Sequence, residues 1–552
     1  MFNRKRIRFD FWNFVTLFSL VFFGMFLVIP VGKMILYAFQ GKGVEGFTLA
    51  NFIKFFSRRY YVSALTNSIK VVLSATFLII LFGVPLAYIT TTYKIRWKRF
   101  IDVLIIISML SPPFIGAYSW ILMLGRNGTI TVFFKNVLGI SLPDIYGFRG
   151  ILLVFVLKLF PYIYMYTKGA LKKVDASLGE AAESLGYHGI KKILTVDLKL
   201  ITPTILAGAT VVFLRAFSDY GTPRLIGEGY ITLPVIIYQE WVSETGSNAY
   251  FASSVAMIMM TVAAIVFLIQ QQISNKKNYT MSSLNPPQPK QLHGIKNFFA
   301  HFFVYFIVFL ATLPQIYIIT ISFRNNNGMM WTEGYGFGNY QAVFQKATNS
   351  ILNTFKFGII AIFIVIIFGT LFAYLTVRRK NIFSKILDVF VMFPYVIPGT
   401  IFGLILLMTY NSGPIILSGT AAIIIISYVI RRMAYTVRSS SAILRQINPN
   451  IEEASISLGY SSLPTFFNVT MPAMVPGIIS GAILSWITII NELSSTLMLY
   501  TSKTATMSVA IFQEINRGGY GTAAALSTIL TFTMVVSLLL FFRFTKSEEI
   551  DL

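Results

Sequence analysis

The chain of 552 residues contains no cysteine and only three histidines, His188, His293 and His301. Without cysteine there are no disulfides, thiolate metal sites or cysteine nucleophiles, and three scattered histidines are too few for a metal cluster. Charged residues are also scarce, at 12% against about 25% in soluble domains. The composition therefore argues against a soluble enzyme, and we predict no catalytic site, metal site or cofactor in this chain.

Apolar residues are correspondingly abundant, at 55%, with a mean hydropathy of +0.71. A helix needs about 20 apolar residues to cross the hydrocarbon core of a bilayer, because the backbone must satisfy its own hydrogen bonds there. The sequence predicts an all-α polytopic membrane protein with about twelve transmembrane helices. The predicted spans are 11–39, 65–90, 100–124, 150–170, 203–223, 250–272, 299–322, 352–376, 386–409, 415–436, 474–498 and 521–543.

The net charge of +24 arises mainly in the segments between these apolar runs. With the N-terminus placed inside the cell, the inner segments hold the larger share of Lys and Arg, as the positive-inside rule requires. We therefore predict a multi-pass membrane protein with both termini in the cytoplasm. Since the basic residues report orientation in the lipid bilayer, no nucleic-acid partner is expected.

The chain contains an internal repeat, which shows as identities at two constant offsets. At the first offset, six residues recur: Asn67, Gly83, Ala87, Tyr88, Asp102 and Pro112 return as Asn353, Gly369, Ala373, Tyr374, Asp388 and Pro398. At the second, six more recur: Glu180, Leu185, Gly186, Tyr187, Pro203 and Gly208 return as Glu453, Leu458, Gly459, Tyr460, Pro476 and Gly481. The difference between the offsets places extra residues of the first half in the outer loop near 125–150.

Duplication explains these identities, and a polar, Pro-containing stretch separates the two copies. We predict a first six-helix half at 1–272, a cytoplasmic linker at 273–298 and a second six-helix half at 299–552. Because each half has an even number of spans, the halves form parallel repeats related by an axis along the membrane normal.

A short motif lies at matching positions in the inner loop between spans four and five of each half. It reads Glu180-Ala181-Ala182 followed by Gly186 in the first half, and Glu453-Ala454-Ser455 followed by Gly459 in the second. Acidic residues favour the first turn of a helix, and Gly allows a left-handed exit from its end. Each motif therefore predicts a short cytoplasmic helix with one thin face.

On these residues the sequence resembles the permease subunits of ABC importers with the type I fold, whose Glu-Ala-Ala loop forms the coupling helix. The second copy matches well, with Pro472 and Pro476 after Gly459, whereas Lys199 stands in the first copy where Pro472 stands in the second. This departure predicts that the two loops lead into span five differently. An ordinary amphipathic inner loop is the competing interpretation of the motif.

The resemblance implies a transport subunit rather than an enzyme. Two copies of a cytoplasmic ABC ATPase would bind ATP and Mg²⁺ and dock on the two motifs, and an extracytoplasmic binding protein would deliver substrate. The chain itself has no Gly-x-x-x-x-Gly-Lys-Ser/Thr phosphate loop. Two halves fused in one polypeptide are most similar to ferric iron permeases. Thiamine, polyamine or another small organic solute is the alternative substrate, and an ion-gradient-driven secondary transporter is the alternative of another class.

Charged residues inside the spans are the remaining candidates, since they are costly in lipid and usually face a bundle interior. Asp219 and its repeat mate Glu492, beside Asn491, form a candidate acidic pair for guiding a cation. The competing interpretation is local: Arg215 neutralises Asp219 along its helix, and Glu492 caps or packs.

Lys158 and Arg431 are a second pair of repeat mates, in span four of each half. They either line the translocation pathway or pair structurally within the bundle.

Overall fold

The computed structural model describes residues 10–41, 46–110, 113–242, 248–276, 288–328 and 330–545. Residues 277–287 of the predicted linker 273–298, the repeat residue Pro112 and the predicted cytoplasmic ends of the chain lie outside these ranges. The described residues form an all-α protein, apart from one antiparallel pair of strands, Arg324–Asn327 and Met330–Tyr335.

Nine helices of the described chain are long and apolar enough to cross a membrane. They are Phe11–Ala38, Arg59–Thr92, Phe148–Leu171, Gly189–Phe217, Ala249–Ile273, Gly294–Ser322, Thr348–Arg378, Ser462–Ile490 and Tyr520–Leu540. Two bent pairs raise the number to as many as eleven if each pair is one span. The prediction of an all-α polytopic fold is confirmed, while the count is lower than the predicted twelve.

The predicted span that is not among these eleven is span ten, 415–436. Most of it lies in the helix Ala421–Gln446, which is long enough but carries Arg431 and Arg432 side by side at its middle and Arg438 two turns on. These charges remove it from the apolar set, because charged side chains in hydrocarbon need partners within the protein.

Spans three and nine, which were predicted as single helices over 100–124 and 386–409, are broken. Ile382–Pro394 and Gly399–Tyr410 meet at an angle of 110°, and Lys98–Met109 and Phe114–Leu138 meet at 98°. Pro398 directly precedes the second helix of its pair, and proline both lacks a backbone donor and disfavours helical geometry in the residue before it.

Spans five and eleven begin earlier and end earlier than predicted. Both start in the segment after the motif, pass through a π-helical turn, Ile193–Asp197 or Phe466–Thr470, and end at Phe217 or Ile490. The two π-turns lie at repeat-equivalent positions. The expectation that Lys199 and Pro472 make the two loops lead into their spans differently is therefore wrong for the backbone, which absorbs the same extra residue in both halves.

Short helices follow each of these ends. Gly221–Ile226 and Leu233–Val242 come after span five, and Thr496–Leu499 and Met507–Arg517 come after span eleven. The remaining short helices include Ala50–Ser57, Thr129–Leu138 and Gly338–Lys346, together with the motif helices Ala176–Ser184 and Asn450–Ser457.

The described residues pack as two compact units, and each unit includes the first long helix of the other sequence half. One unit comprises Met1–Ala38, Lys346–Ala510 and Phe532–Ile550, and the other comprises Phe39–Gln345 and Ile511–Thr531, so far as these ranges are described. Within the first unit, Tyr410 donates a hydrogen bond to the carbonyl of Met25 at 2.6 Å. Within the second, Ser119 donates to the carbonyl of Pro314 at 3.1 Å. The predicted halves 1–272 and 299–552 describe a sequence duplication, which this packing does not test.

Close helix contacts in both units depend on glycines of the repeat. A Cβ at Gly481 would lie 2.5 Å from the Cα of Thr436, whereas a Cβ at its mate Gly208 would lie 3.2 Å from side-chain atoms of Ile163 and Tyr166. Spans ten and eleven therefore meet backbone to backbone, and spans four and five meet through side chains that can move.

We predict that Gly481→Ala lowers the free energy of unfolding by about 1–3 kcal/mol, because the helices must separate to admit a methyl group. Thermal unfolding of the purified protein in detergent measures the effect. Gly208→Ala is the matched control and should shift the midpoint less, since only side chains must adjust. Equal shifts for the two variants would contradict this account of the contact.

Candidate functional site

The two motif helices, Ala176–Ser184 and Asn450–Ser457, share their backbone design. The side chain of Asp175 accepts a hydrogen bond from the backbone N–H of Ser177, and Asn448, the repeat mate of Asp175, accepts one from Asn450, both at 3.0 Å. Side-chain oxygens of this kind satisfy N–H groups that have no partner inside a helix. Both helices thus begin at an equivalent polar cap that lies upstream of the motif.

The ends of the motif helices also match. Gly186 and Gly459 have φ values of +82° and +94°, and the N–H groups that follow, of Tyr187 and Tyr460, return to the carbonyls of Ala182 and Ser455. This is the Schellman arrangement, in which a left-handed residue lets the chain satisfy the last carbonyls of a helix. The predicted short helices with left-handed glycine exits are confirmed.

The prediction that acidic residues occupy the first turn is correct for one loop only. Glu452 and Glu453 lie in the first turn of Asn450–Ser457, whereas Ala176–Ser184 has no acidic residue in its first turn. Glu180 is the fifth residue of its helix, just beyond the first turn, because this helix begins at Ala176 under the Asp175 cap. Sequence reasoning placed the helix start at the motif and missed this cap.

The motif residues divide between an inner and an outer face. Ala182 and Ser455 are buried, with 5% and 8% exposure, so they pack against their own unit. Glu180, Ala181 and Gly186 are exposed, as are their counterparts Glu453, Ala454 and Gly459. Of the residues predicted to contact the ATPase, only these six exposed ones do not pack against their own unit.

Apolar side chains on the exposed face were not singled out from the sequence. Leu185 and Leu458 are repeat mates with 78% and 81% exposure, and Leu178 and Ile451 form a second exposed pair. Large apolar residues at equivalent exposed positions are typical of a protein contact surface. The signal was present in the sequence, because Leu185 and Leu458 are identities of the repeat.

The first motif helix is held to its unit by ion pairs. Lys192 Nζ lies 2.8 Å from the carboxylate of Glu183, and Lys290 Nζ lies 3.6 Å from the same oxygen. The hydrogen bond from Lys192, with the charges of Lys192 and Lys290, lowers the pKa of Glu183. Glu183 therefore stays ionised and keeps both pairs at neutral pH.

The second motif helix is held by a more buried set. Arg378 Nε donates to Glu452 at 2.8 Å, the hydroxyl of Tyr374 donates to the same carboxylate at 3.2 Å, and Ser455 and Thr465 share a hydrogen bond at 3.0 Å. Glu452 corresponds to Gly179 in the first half, so the two helices have equivalent backbones but different anchors.

The intramembrane candidates lie where spans five and eleven end. Asp219 accepts a hydrogen bond at 2.8 Å from the N–H of Thr222, and Glu492 accepts one at 3.1 Å from the N–H of Ser495, the repeat mate of Thr222. Each carboxylate thus satisfies the backbone of the turn that follows it. The local capping role considered from the sequence is present at both positions.

Glu492 also forms ion pairs that Asp219 does not share. It is 4% exposed, lies 2.6 Å from Nη1 of Arg431, and is hydrogen bonded to Arg432. Arg431 therefore contacts the predicted acidic candidate of its own half. Asn491, next to Glu492, donates to the sulfur of Met534 at 2.7 Å.

Lys158, the repeat mate of Arg431, is buried with 8% exposure and donates to the carbonyl of Ser108 at 3.3 Å. It interacts electrostatically with Asp219 and Arg215. Arg215 itself lies over the ring of Tyr162, 4.4 Å from its centroid. The first half thus brings Lys158, Arg215 and Asp219 into one electrostatic group, as the second brings Arg431, Arg432 and Glu492.

We predict that Glu492→Gln lowers the free energy of unfolding by about 3–5 kcal/mol, because it removes the buried carboxylate charge that Arg431 and Arg432 both contact. The measurement is chemical or thermal unfolding in detergent. Asp219→Asn is the control: its amide oxygen still accepts from Thr222, so the loss should stay at about 1 kcal/mol. A loss at Asp219 as large as that at Glu492 would refute the difference between the halves.

Comparison with known proteins adds two findings. The sequence model of the family described as "binding-protein-dependent transport system inner membrane component" matches residues 79–278 and again 366–547. A ferric transport system permease protein of Actinobacillus pleuropneumoniae is 26% identical over 536 residues, which cover 96% of this chain and 77% of that protein.

Two further relatives differ in length. A ferric transport system permease protein of Haemophilus influenzae, described as putative, is 27% identical over 501 residues, covering 89% of this chain and 78% of the relative. A probable molybdenum ABC transporter permease protein of Haloferax volcanii is 28% identical over 207 residues, which cover 38% of this chain but 74% of that protein.

Proposed function

Because the chain belongs to the family of binding-protein-dependent transport system inner membrane components, we propose that it is the permease through which a bacterial cell imports ferric iron. Membership makes it the membrane-spanning transport subunit of an ABC importer. The observation that carries the proposed substrate is the similarity to ferric permeases over nearly the whole chain, both halves included.

The proposed partners on the cytoplasmic side are two copies of an ABC ATPase, which bind ATP and Mg²⁺ and hydrolyse the nucleotide. Each copy docks on one motif helix, Ala176–Ser184 or Asn450–Ser457. The matched exposure of Leu185 and Leu458 supports this assignment, since the same ATPase surface would receive both. Glu180, Ala181 and Gly186, with Glu453, Ala454 and Gly459, surround these leucines on the exposed face.

On the opposite side of the cytoplasmic membrane, an extracytoplasmic binding protein delivers the substrate, and both termini of the chain lie in the cytoplasm. This orientation follows from the distribution of Lys and Arg among the loops. We propose that the translocation pathway is lined by Asp219, Glu492, Asn491, Lys158 and Arg431, because polar and charged side chains within membrane spans usually mark a substrate or ion path. The chain has no cysteine for binding a metal as thiolate, so selectivity for iron resides mainly in the binding protein.

We predict that Leu185→Asp combined with Leu458→Asp abolishes co-purification of the ATPase, because it places charge on the apolar docking surface. The purified variant should keep the unfolding midpoint of the wild type, since both side chains are exposed and have no packing role. Ile382→Asp is the control, because Ile382 is 63% exposed at the cytoplasmic start of another helix. ATPase association that survives the double change would reject the docking assignment.

We predict ATP-dependent uptake of ferric iron into proteoliposomes that contain this chain, its ATPase and the binding protein encoded beside it. Ferric iron loaded on the binding protein is the probe, and accumulation should require Mg-ATP. The same vesicles supplied with thiamine and without iron are the control. Thiamine uptake with no iron uptake would overturn the proposed substrate and leave the permease assignment intact.

A further inference from the structure

A buried aromatic cluster lies at the cytoplasmic start of the first long helix. Trp12 has 0% exposure; its ring stacks on Tyr374 with centroids 4.3 Å apart and meets Phe466 edge-on at 5.0 Å. Tyr374 and Phe466 also contact each other at 4.9 Å. We call Trp12, Tyr374 and Phe466 the Trp12 cluster; all three rings belong to one compact unit.

Two members of the Trp12 cluster connect directly to the second motif helix. The hydroxyl of Tyr374 donates to Glu452 within that helix, and Phe466 is the first residue of the π-turn that follows it. Arg378, one turn beyond Tyr374, donates to the same carboxylate. The ring of Trp12 therefore touches both the side chain that binds the motif helix and the segment through which that helix continues into the membrane.

An ion pair fixes the same end of the first helix. Asp10, which precedes the helix Phe11–Phe23, lies 2.9 Å from Nη2 of Arg379, and the guanidinium of Arg379 lies 5.6 Å from the Trp12 ring. Both charged groups are partly exposed, so the pair orients the helix end and contributes little stability of its own.

The first half anchors its motif helix differently. Tyr88, the repeat mate of Tyr374, donates to Asp197 in the π-turn at 3.2 Å instead of to the motif helix. The motif helix is held through Glu183 by Lys192 and Lys290, and the side-chain exposures of Glu183, Lys192 and Lys290 are 38%, 16% and 67%. Ion pairs to a carboxylate as exposed as Glu183 hold weakly, while stacked buried rings hold a fixed geometry.

We propose that Trp12 is a positioning residue for the second motif helix. By stacking on Tyr374 and abutting Phe466, it makes the helices Phe11–Ala38 and Thr348–Arg378 and the motif helix Asn450–Ser457 move as one body. Displacement of a docked ATPase is thereby transmitted into the membrane through the first helix as well as through span eleven. The inference rests on the proposed function of the motif helices as ATPase docking sites.

The test compares Trp12→Ala with Phe23→Ala in the full transporter reconstituted with its ATPase and binding protein. Phe23 lies on the same continuous helix, is also fully buried, and contacts Phe372 and Phe390 instead of the motif region. Both variants remove a large buried ring, so both destabilise the protein. Only Trp12→Ala should lower the iron transported per ATP hydrolysed, by roughly three- to tenfold, the range equivalent to losing one or two aromatic contacts. Trp12→Phe should restore most of the ratio.

A second readout does not depend on the ATPase. Because the chain has no cysteine, a spin label attached after Ile456→Cys reports the motion of the second motif helix alone. Its mobility should rise in Trp12→Ala and stay unchanged in Phe23→Ala, while a label at Leu178→Cys on the first motif helix should respond to neither.

The outcomes separate the two claims. Equal transport ratios and equal label mobility in Trp12→Ala and Phe23→Ala would show that Trp12 only packs, and would overturn the inference. If the wild-type motif helices bind no ATPase, the proposed docking fails; a mobility increase confined to Trp12→Ala would then still support the anchoring part of the inference.

Discussion

The structure depends on one constraint: within hydrocarbon, each backbone polar group and each charge must find its partner inside the protein. Long helices satisfy the backbone polar groups through their own hydrogen bonds. Where such a helix ends, other groups must supply the missing partners. Spans five and eleven end at Phe217 and Ile490, and the carboxylates of Asp219 and Glu492 then bind the N–H groups of Thr222 and Ser495. An acidic side chain two residues past the helix end makes the break tolerable in both halves.

The constraint also explains why a carboxylate at the break attracts arginine. Glu492 is almost fully buried, and a buried carboxylate without a counter-charge would cost several kcal/mol. Arg431 and Arg432 supply that charge from the neighbouring helix, which for the same reason is the least apolar of the long helices.

Periodicity and self-comparison predicted the features that the sequence encodes locally. Long apolar runs indicated the helices, and constant offsets revealed the duplicated motif, including the glycines whose φ is positive in both loops. The ends of spans five and eleven could not be found this way, since Ser218-Asp219 and Asn491-Glu492 continue the helical pattern and end it only through hydrogen bonds to later residues. The inward orientation of Ala182 and Ser455 depends on partners such as Thr465 that no local window contains. The Trp12 cluster could not be predicted from the sequence, because Trp12 and Phe466 lie in opposite halves of the chain and no local pattern links them.

The repeat preserves backbone geometry more strictly than side-chain contacts. The polar caps, the left-handed glycines and the π-turns occur in both halves at equivalent positions, whereas each anchoring carboxylate lies on a different turn: Glu183 in the first motif helix and Glu452 in the second. Two motif helices with equivalent backbones thus rest on unlike supports, because ion pairs to a partly exposed carboxylate hold less firmly than stacked buried rings. In a fused permease the residues that hold the two motif helices can diverge, because each half occupies only one of the two positions. In a permease built from two copies of a single half, the same residues must hold the motif helix on both sides.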